Sequence, residues 1–246
     1  DEQFAKDDSF PGAVFLHVQD VLQALQALTA YHRQQFNLPV IGITGSNGKT
    51  IVKEWLYQLL QDDHSIVRSP KSFNSQVGVP LSVWQINAGH TLGIFEAGIS
   101  QPDEMQRLEK IMAPSIGVIT SIGDAHSEGF LNIRQKINEK LKLFVRSDVL
   151  IYCADNPDLN EAVNLFAGNV RNVDDFTLFS WSRKESATLQ VLTTGHTDAG
   201  TTITARYQGK DIQFGIPFTD EASVENAITC CCVLLQLGIS PATIAE

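Results

Sequence analysis

Residues Ile41 to Thr50 read I-G-I-T-G-S-N-G-K-T and combine three kinds of group that suit a chain of phosphates. Glycines at Gly45 and Gly48 let backbone N–H groups turn toward an anion where a helix begins. Lys49 puts an ammonium within reach of terminal phosphates, and the Thr50 hydroxyl can bind Mg²⁺. Gly45, Ser46, Asn47, Gly48, Lys49 and Thr50 are therefore the candidate nucleotide-binding residues. The general P-loop pattern asks for a glycine where Ile43 stands, so the match is to the shorter T-G-S-N-G-K-T. A turn that used its glycines for backbone reasons alone would leave the G-K-T triplet unexplained.

Other polar residues fall where α/β sheets bind ligands, beyond the carboxyl ends of strands. Glu96 closes the apolar run T-L-G-I-F. A carboxylate there, near Thr50, suits a Mg²⁺ that bridges phosphates, and a solvated strand-end acid is the alternative. His126, with Asp124 beside it, follows the run I-G-V-I-T. Taken alone, His126 reads as a loop histidine with a hydrogen-bonding role. Asn74 and Ser75 join a strand to a helix in S-F-N-S-Q-V-G-V-P, where capping and substrate contact are both open. Lys140 shares a helix with Lys136 and Lys142; a solvated basic face is the default, and spacing does not single out Lys140.

The elements that must carry these groups alternate. Asp20 caps a helix running to about Phe36, with Val21, Leu22, Leu25, Leu28 and Tyr31 on one face. Strands are expected at Leu38–Ile43, Ser65–Arg68, Thr91–Ala97, Ser115–Thr120 and Asp148–Cys153. Helices are expected at Val52–Leu60, Gly78–Gln85, Gln101–Met112, Asn132–Val145 and Pro157–Phe166. This alternation predicts an α/β fold, a mainly parallel P-loop NTPase-like sheet with helices on both faces. After Asp175 come short runs at Phe176–Trp181, Ala187–Thr193, Thr201–Tyr207 and Ile212–Ile216, which predict a small antiparallel patch. A last helix covers Ser223–Leu237 and stops at Gly238.

Composition narrows the class. The 246 residues are 43% hydrophobic and 19% charged, as in ordinary globular domains. A net charge of −10 argues against a nucleic-acid partner, which needs a basic face. No apolar run approaches the length of a membrane span. Asp1-Glu2-Gln3 is neither a basic-then-apolar leader nor a Met start, so an excised or processed piece is expected. The four cysteines, Cys153 and Cys230 to Cys232, lack metal-site spacing and read as small buried hydrophobes in a reducing cytoplasm.

Taken in order, T-G-S-N-G-K-T, S-F-N-S-Q-V-G-V-P, F-E-A-G-I-S-Q-P-D-E-M, and D-A-H-S-E-G-F followed by Lys140 resemble the central ATPase domain of the Mur ligases. The resemblance runs from about Leu38 to Leu237. H-S-E-G-F makes it most similar to the type that joins D-Ala-D-Ala to UDP-N-acetylmuramoyl-tripeptide, a type also found fused to an alanine racemase. The resemblance implies an ATP-dependent amide ligase of peptidoglycan precursor synthesis working through an acyl phosphate. Lys49, His126 and Lys140 would be catalytic, and Thr50, Glu96, His126 and Lys140 would hold two Mg²⁺ ions. Lys140 would carry a carbamate, Asn226 would contact adenine, and Asn74 and Ser75 would lie near the substrate. Ala222-Ser223 stand where family members often have His-Asn. Residues 1–37 would be a linker with one helix from a UDP-sugar-binding domain, and 38–246 the ATP-binding domain. By the same resemblance the C-terminal ligase domain would lie outside this piece, which is expected to be inactive alone. Folylpolyglutamate synthase, another Mur ligase, and a non-catalytic nucleotide-binding module are the alternatives.

Overall fold

The computed structural model describes residues 14–123, 129–169 and 176–245, so Asp124 and His126 lie outside the described residues. Strands β1 (Val40–Thr44), β2 (Ile66–Arg68), β3 (Leu92–Glu96), β4 (Ile116–Ile119) and β5 (Val149–Cys153) alternate with helices. These are α1 (Val21–Gln34), α2 (Lys49–Leu60), α3 (Gly78–Val83), α4 (Glu104–Met112), α5 (Ile133–Leu141) and α6 (Pro157–Ala167). Four more strands follow: β6 (Thr177–Ser182), β7 (Leu189–Thr197), β8 (Gly200–Tyr207) and β9 (Lys210–Ile216). Helices α7 (Glu221–Gln236) and α8 (Pro241–Ala245) end the described chain.

The described strands make one sheet in the order β2-β3-β1-β4-β5-β6-β7-β8-β9. Every pair from β2 to β7 is parallel, and β7-β8-β9 is an antiparallel meander. The expected antiparallel patch is thus continuous with the main sheet and starts one strand later. Phe176–Trp181, assigned to that patch from sequence, supplies instead a parallel strand, with Ile151 beside Phe179. The crossover through α6 is the kind of connection that a parallel pair requires. The β1 and β3 crossovers run to opposite sides of the sheet, to β2 and β4, so a crevice opens at the ends of β1 and β3.

Alternating strand residues feed two cores. Ile41, Ile43, Leu92 and Ile94 pack with Val52, Leu56, Leu60 and Ile228 from α2 and α7. Val40 and Phe95 point the other way, toward Val79, Met105, Leu108 and Ile137. Side chains buried this fully each contribute about 1.5–3 kcal/mol relative to exposure. Two cores, one per sheet face, hold the strand ends in a fixed plane.

Helix α1 is rotated from the face that its apolar pattern marks, with Leu22 and Leu25 half-buried. Val21, Leu28 and Tyr31 are 76%, 49% and 67% exposed, while Gln26, Thr29 and Arg33 are buried. The Arg33 guanidinium donates to the carbonyls of Phe36, Leu38 and Met112 at 2.7, 3.3 and 3.0 Å. It therefore satisfies the end of α4 and the approach to β1, which an apolar residue could not do. The side-chain polarity needed there overrides the apolar stripe.

Among the described residues no helix is long and apolar enough to cross a membrane. All four cysteines are free. Burial pushes the thiols of Cys153 and Cys231 up to about 12, and those of Cys230 and Cys232 also upward. At pH 8 a thiol of that pKa is ionised to only about one part in ten thousand. We expect Ellman's reagent to leave the four thiols of the native protein unreacted at pH 8 over minutes and to titrate all of them in guanidinium. A fast-reacting native thiol would contradict the packing of α7 if it were Cys230, Cys231 or Cys232, and that of the β5 end if it were Cys153.

Candidate functional site

Helix α2 opens on a conformation that glycine makes accessible. Gly48 has φ +83°, and a Cβ placed there would come within 2.4 Å of the Asn226 side-chain oxygen. Gly45 has φ +148°, and its Cβ would overlap the Thr120 hydroxyl. Helices α1, α5, α6 and α7 are capped by Asp20, Asn132, Asn156 and Asp220. Helix α2 has Gly48 at that position and no side-chain cap, so its first N–H groups remain available to an anion.

The loop is held from behind by the end of β4. Ser46 N donates to Ser121 O at 2.7 Å, and the Thr120 hydroxyl donates to Asn47 O at 2.5 Å. The Ser46 hydroxyl donates to Gly123 O and accepts from Gly123 N, both at 3.0 Å. These bonds hold Gly45 to Asn47 against the sheet, with Asn47 exposed at the tip.

The functional side chains then converge. Lys49 Nζ donates to Gly45 O and Ser46 O at 2.9 and 3.1 Å. Lys140 Nζ reaches the same Gly45 carbonyl at 3.0 Å from α5. The Thr50 hydroxyl donates to Glu96 Oε2 at 3.0 Å. Glu96 is fully buried at the β3 end beside Ile43, which removes the solvated strand-end reading. A hydroxyl and a carboxylate oxygen at this spacing are hard donors of the type Mg²⁺ takes alongside substrate phosphates. Among the described residues no group of three or more His, Cys, Asp or Glu stands together.

Lys140 is 3% exposed and Lys136 1%, correcting the expected solvated basic face; only Lys142 is partly open, paired with Glu139 and Asp103. The reason is geometric. Helix α5 turns its Lys136 and Lys140 edge toward the loop, where Gly123 O and Gly45 O accept their protons. Burial first, and then the charges of Lys49 and Lys136, together lower the Lys140 ammonium to about 7. Burial also lowers Lys49, which Glu96 opposes and Lys136 reinforces.

A cavity of about 400 Å³ lies in front of these groups, with Gly45, Lys49, Asn74, Gln76, Ser100 and Lys140 in its wall. Ser75 lines it as well, but the Ser75 hydroxyl also accepts from Gly78 N at 3.1 Å, so turn-forming is one of its roles. Asn74 is fixed by its carbonyl, which accepts from Gly98 N at 2.8 Å. Asn226 sits against Gly48 rather than apart from the loop.

A family model described as the Mur ligase middle domain matches residues 43–234. The chain belongs to the Mur ligase middle-domain family. This Mur ligase middle domain is 39% identical, over 53% of its length and 28% of the relative's, to a UDP-N-acetylmuramoyl-tripeptide–D-alanyl-D-alanine ligase of Treponema pallidum. It is 30% identical to the ligase of the same name in Bacillus subtilis, over 93% of this chain and 48% of that one. The chain therefore spans about half, or less, of the length of these relatives. A MurF ligase structure from Thermotoga maritima in complex with ADP superimposes with a TM-score of 0.81 at 22% identity, covering 98% of this chain and 55% of that one.

Of the expected site residues, the structure brings together Gly45 to Thr50, Glu96, Lys140 and Asn226, with Asn74 and Ser75 across the cavity. Sequence reasoning missed Lys53, Lys136 as a buried group, Gln76 and Glu104. Lys53 had one signal: it lies one turn after Lys49 and three residues after Thr50, on the same helical face.

The depressed Lys140 pKa makes a signed prediction. Between about 7 and 10.5 the unfolded chain binds more protons at this residue than the folded one. Its contribution to stability is therefore least favourable below about 7 and improves as pH rises toward 10.5. Urea titrations should show the native protein gaining stability relative to Lys140→Met across that window. A constant difference would mean that Lys140 titrates normally.

Proposed function

We propose that this chain is the ATP-binding core of an amide-bond ligase of peptidoglycan precursor synthesis, which adds D-Ala-D-Ala to UDP-N-acetylmuramoyl-tripeptide. The observation that carries the proposal is the meeting of Lys49, Lys140 and the Thr50–Glu96 pair around one cavity at the uncapped start of α2. The names of the Treponema and Bacillus relatives support this reading over folylpolyglutamate synthase. Residues 1–37 serve as a linker from a sugar-nucleotide-binding domain, and 38–246 as the nucleotide core.

In this reading Gly45 to Thr50 wrap the ATP phosphates with their N–H groups. Lys49 leaves its carbonyl partners in the loop for the β and γ phosphates, and Asn226 faces adenine. Thr50 and Glu96 would hold Mg²⁺, which would neutralise charge on the phosphates, and His126 would help to hold a second ion. The tripeptide carboxylate attacks the γ-phosphorus and ADP departs. The D-Ala-D-Ala amine then attacks the acyl carbon, phosphate leaves, and the amine loses a proton. Lys49 offsets charge that spreads over the transferring group. Asn74 and Ser75 position the acceptor, and most of the remaining catalysis is positioning.

Lys140 suits the carbamate role because about half of its amine is neutral near pH 7 and can add CO₂, releasing one proton. The product is an anionic oxygen donor beside two lysines.

Full-length protein should release ADP and phosphate only with UDP-muramoyl-tripeptide and D-Ala-D-Ala, and not with folate and glutamate. Lys140→Ala should lower turnover by at least about a hundredfold, at the upper end of ligand-shell losses, and remove a carbamate ¹³C signal seen with labelled bicarbonate. Unchanged turnover would remove the carbamate from the mechanism.

A further inference from the structure

Lys53 is fully buried, and nothing in the reaction described above uses it. Its ammonium donates to Glu96 Oε1 at 3.1 Å, to Ser69 O at 2.8 Å and, by a short contact, to Lys71 O. Glu54 Oε1 lies 3.1 Å away, so three protons face four acceptors. Glu54 is also engaged by Arg68, which leaves Glu96 and the two carbonyls as the inner partners.

Those partners belong to two parts of the site. Glu96 divides its oxygens: Oε2 lies nearer the Thr50 hydroxyl, and Oε1 takes Lys53. Ser69 and Lys71 begin the segment that leads to Asn74, Ser75 and Gln76 in the cavity wall. Lys71 has φ +49°, a left-handed conformation that a lysine adopts only where its surroundings impose it. Lys53 caps the carbonyl of that residue. The Ser69 hydroxyl also accepts from Glu96 N at 3.3 Å, so the turn and the acid are tied at two points.

We propose that Lys53 is a positioning residue that orients the Glu96 carboxylate toward Thr50 and simultaneously locks the Ser69–Lys71 turn, so that the acid and the cavity loop are set as one unit. The role rests on the reading of Thr50 and Glu96 as a Mg²⁺ site. A ligating carboxylate depends on the donor that holds its other oxygen, and loss of such a donor typically weakens metal binding about 10–100-fold. A cation confined to filling space in α2 would have no reason to reach carbonyls on a separate segment.

The test uses the full-length protein and a non-hydrolysable ATP analogue, with binding measured by calorimetry over a Mg²⁺ series. In Lys53→Met the half-saturating Mg²⁺ should rise about 10–100-fold, while binding of the metal-free analogue should stay within about twofold. Amide protons of residues 72–77 should exchange faster in the same variant. If Lys53→Met does not fold, Lys53→Gln, which keeps an NH₂ group with two donors and no charge, is held to the same outcomes. A folded variant with an unmoved Mg²⁺ requirement or unmoved loop exchange overturns the role of Lys53. A wild-type protein whose analogue binding ignores Mg²⁺ overturns the metal reading, and this inference with it.

Discussion

The parallel register of β1 and β3 places Glu96 next to Ile43, and the rest of the site depends on that alignment. One residue further along β1 the chain turns through Gly45 and Gly48 into α2, whose first turn carries Thr50 to the same carboxylate. A one-residue slip in the pairing would send the Glu96 side chain to the opposite sheet face, among Val79 and Met105. The apolar residues on either side of Glu96 prevent this slip. Ile94 belongs to one core and Phe95 to the other, so the strand has a single register that buries both. Hydrophobic packing on two faces thus fixes the place of a charge at the strand end.

The second organising feature is the concentration of positive charge behind a loop built to face negative charge. Lys49, Lys136 and Lys140 share carbonyls of residues Gly45, Ser46 and Gly123, and Lys53 lies deeper against Glu96. Such groups are costly to bury, and the cost is met by backbone acceptors that the loop turns inward. The same arrangement favours a neutral amine at Lys140, since burial and the neighbouring ammonium groups act in the same direction. The same groups lie beside a helix start that has no side-chain cap at Gly48.

Helix α1 has a related logic at the other side of the cavity. Its buried Gln26 donates to the backbone and side-chain oxygens of Gln76, and Gln76 donates to Glu104 O. Glu104 in turn accepts from Ser100 N at 2.7 Å. The cavity wall is therefore braced by a line of amides and carbonyls, which explains why polar residues occupy the inner face of α1 while Val21, Leu28 and Tyr31 look outward.

Local pattern was enough to read the glycine turn between β1 and α2, the alternation of strands and helices, and the strand-end position of Glu96. Each depends on residues close in sequence: glycine freedom, period-two or 3.6 hydrophobicity, and a polar residue closing an apolar run. The ordered motif series also led to the Mur ligase resemblance, which the family match bears out over residues 43–234. Pairing direction at Phe176–Trp181, the inward face of α1, the burial of Lys136 and Lys140, and the link from Lys53 to Glu96 and Lys71 were not legible in this way. They depend on which backbone groups lie opposite after folding, and a lysine or glutamine has the same local pattern whether it meets water or a buried carbonyl. Neighbouring residues were enough for the elements and the turn that joins β1 to α2. Which charges are buried together follows from the fold instead, because burial and partnership are properties of segments brought together from distant parts of the chain.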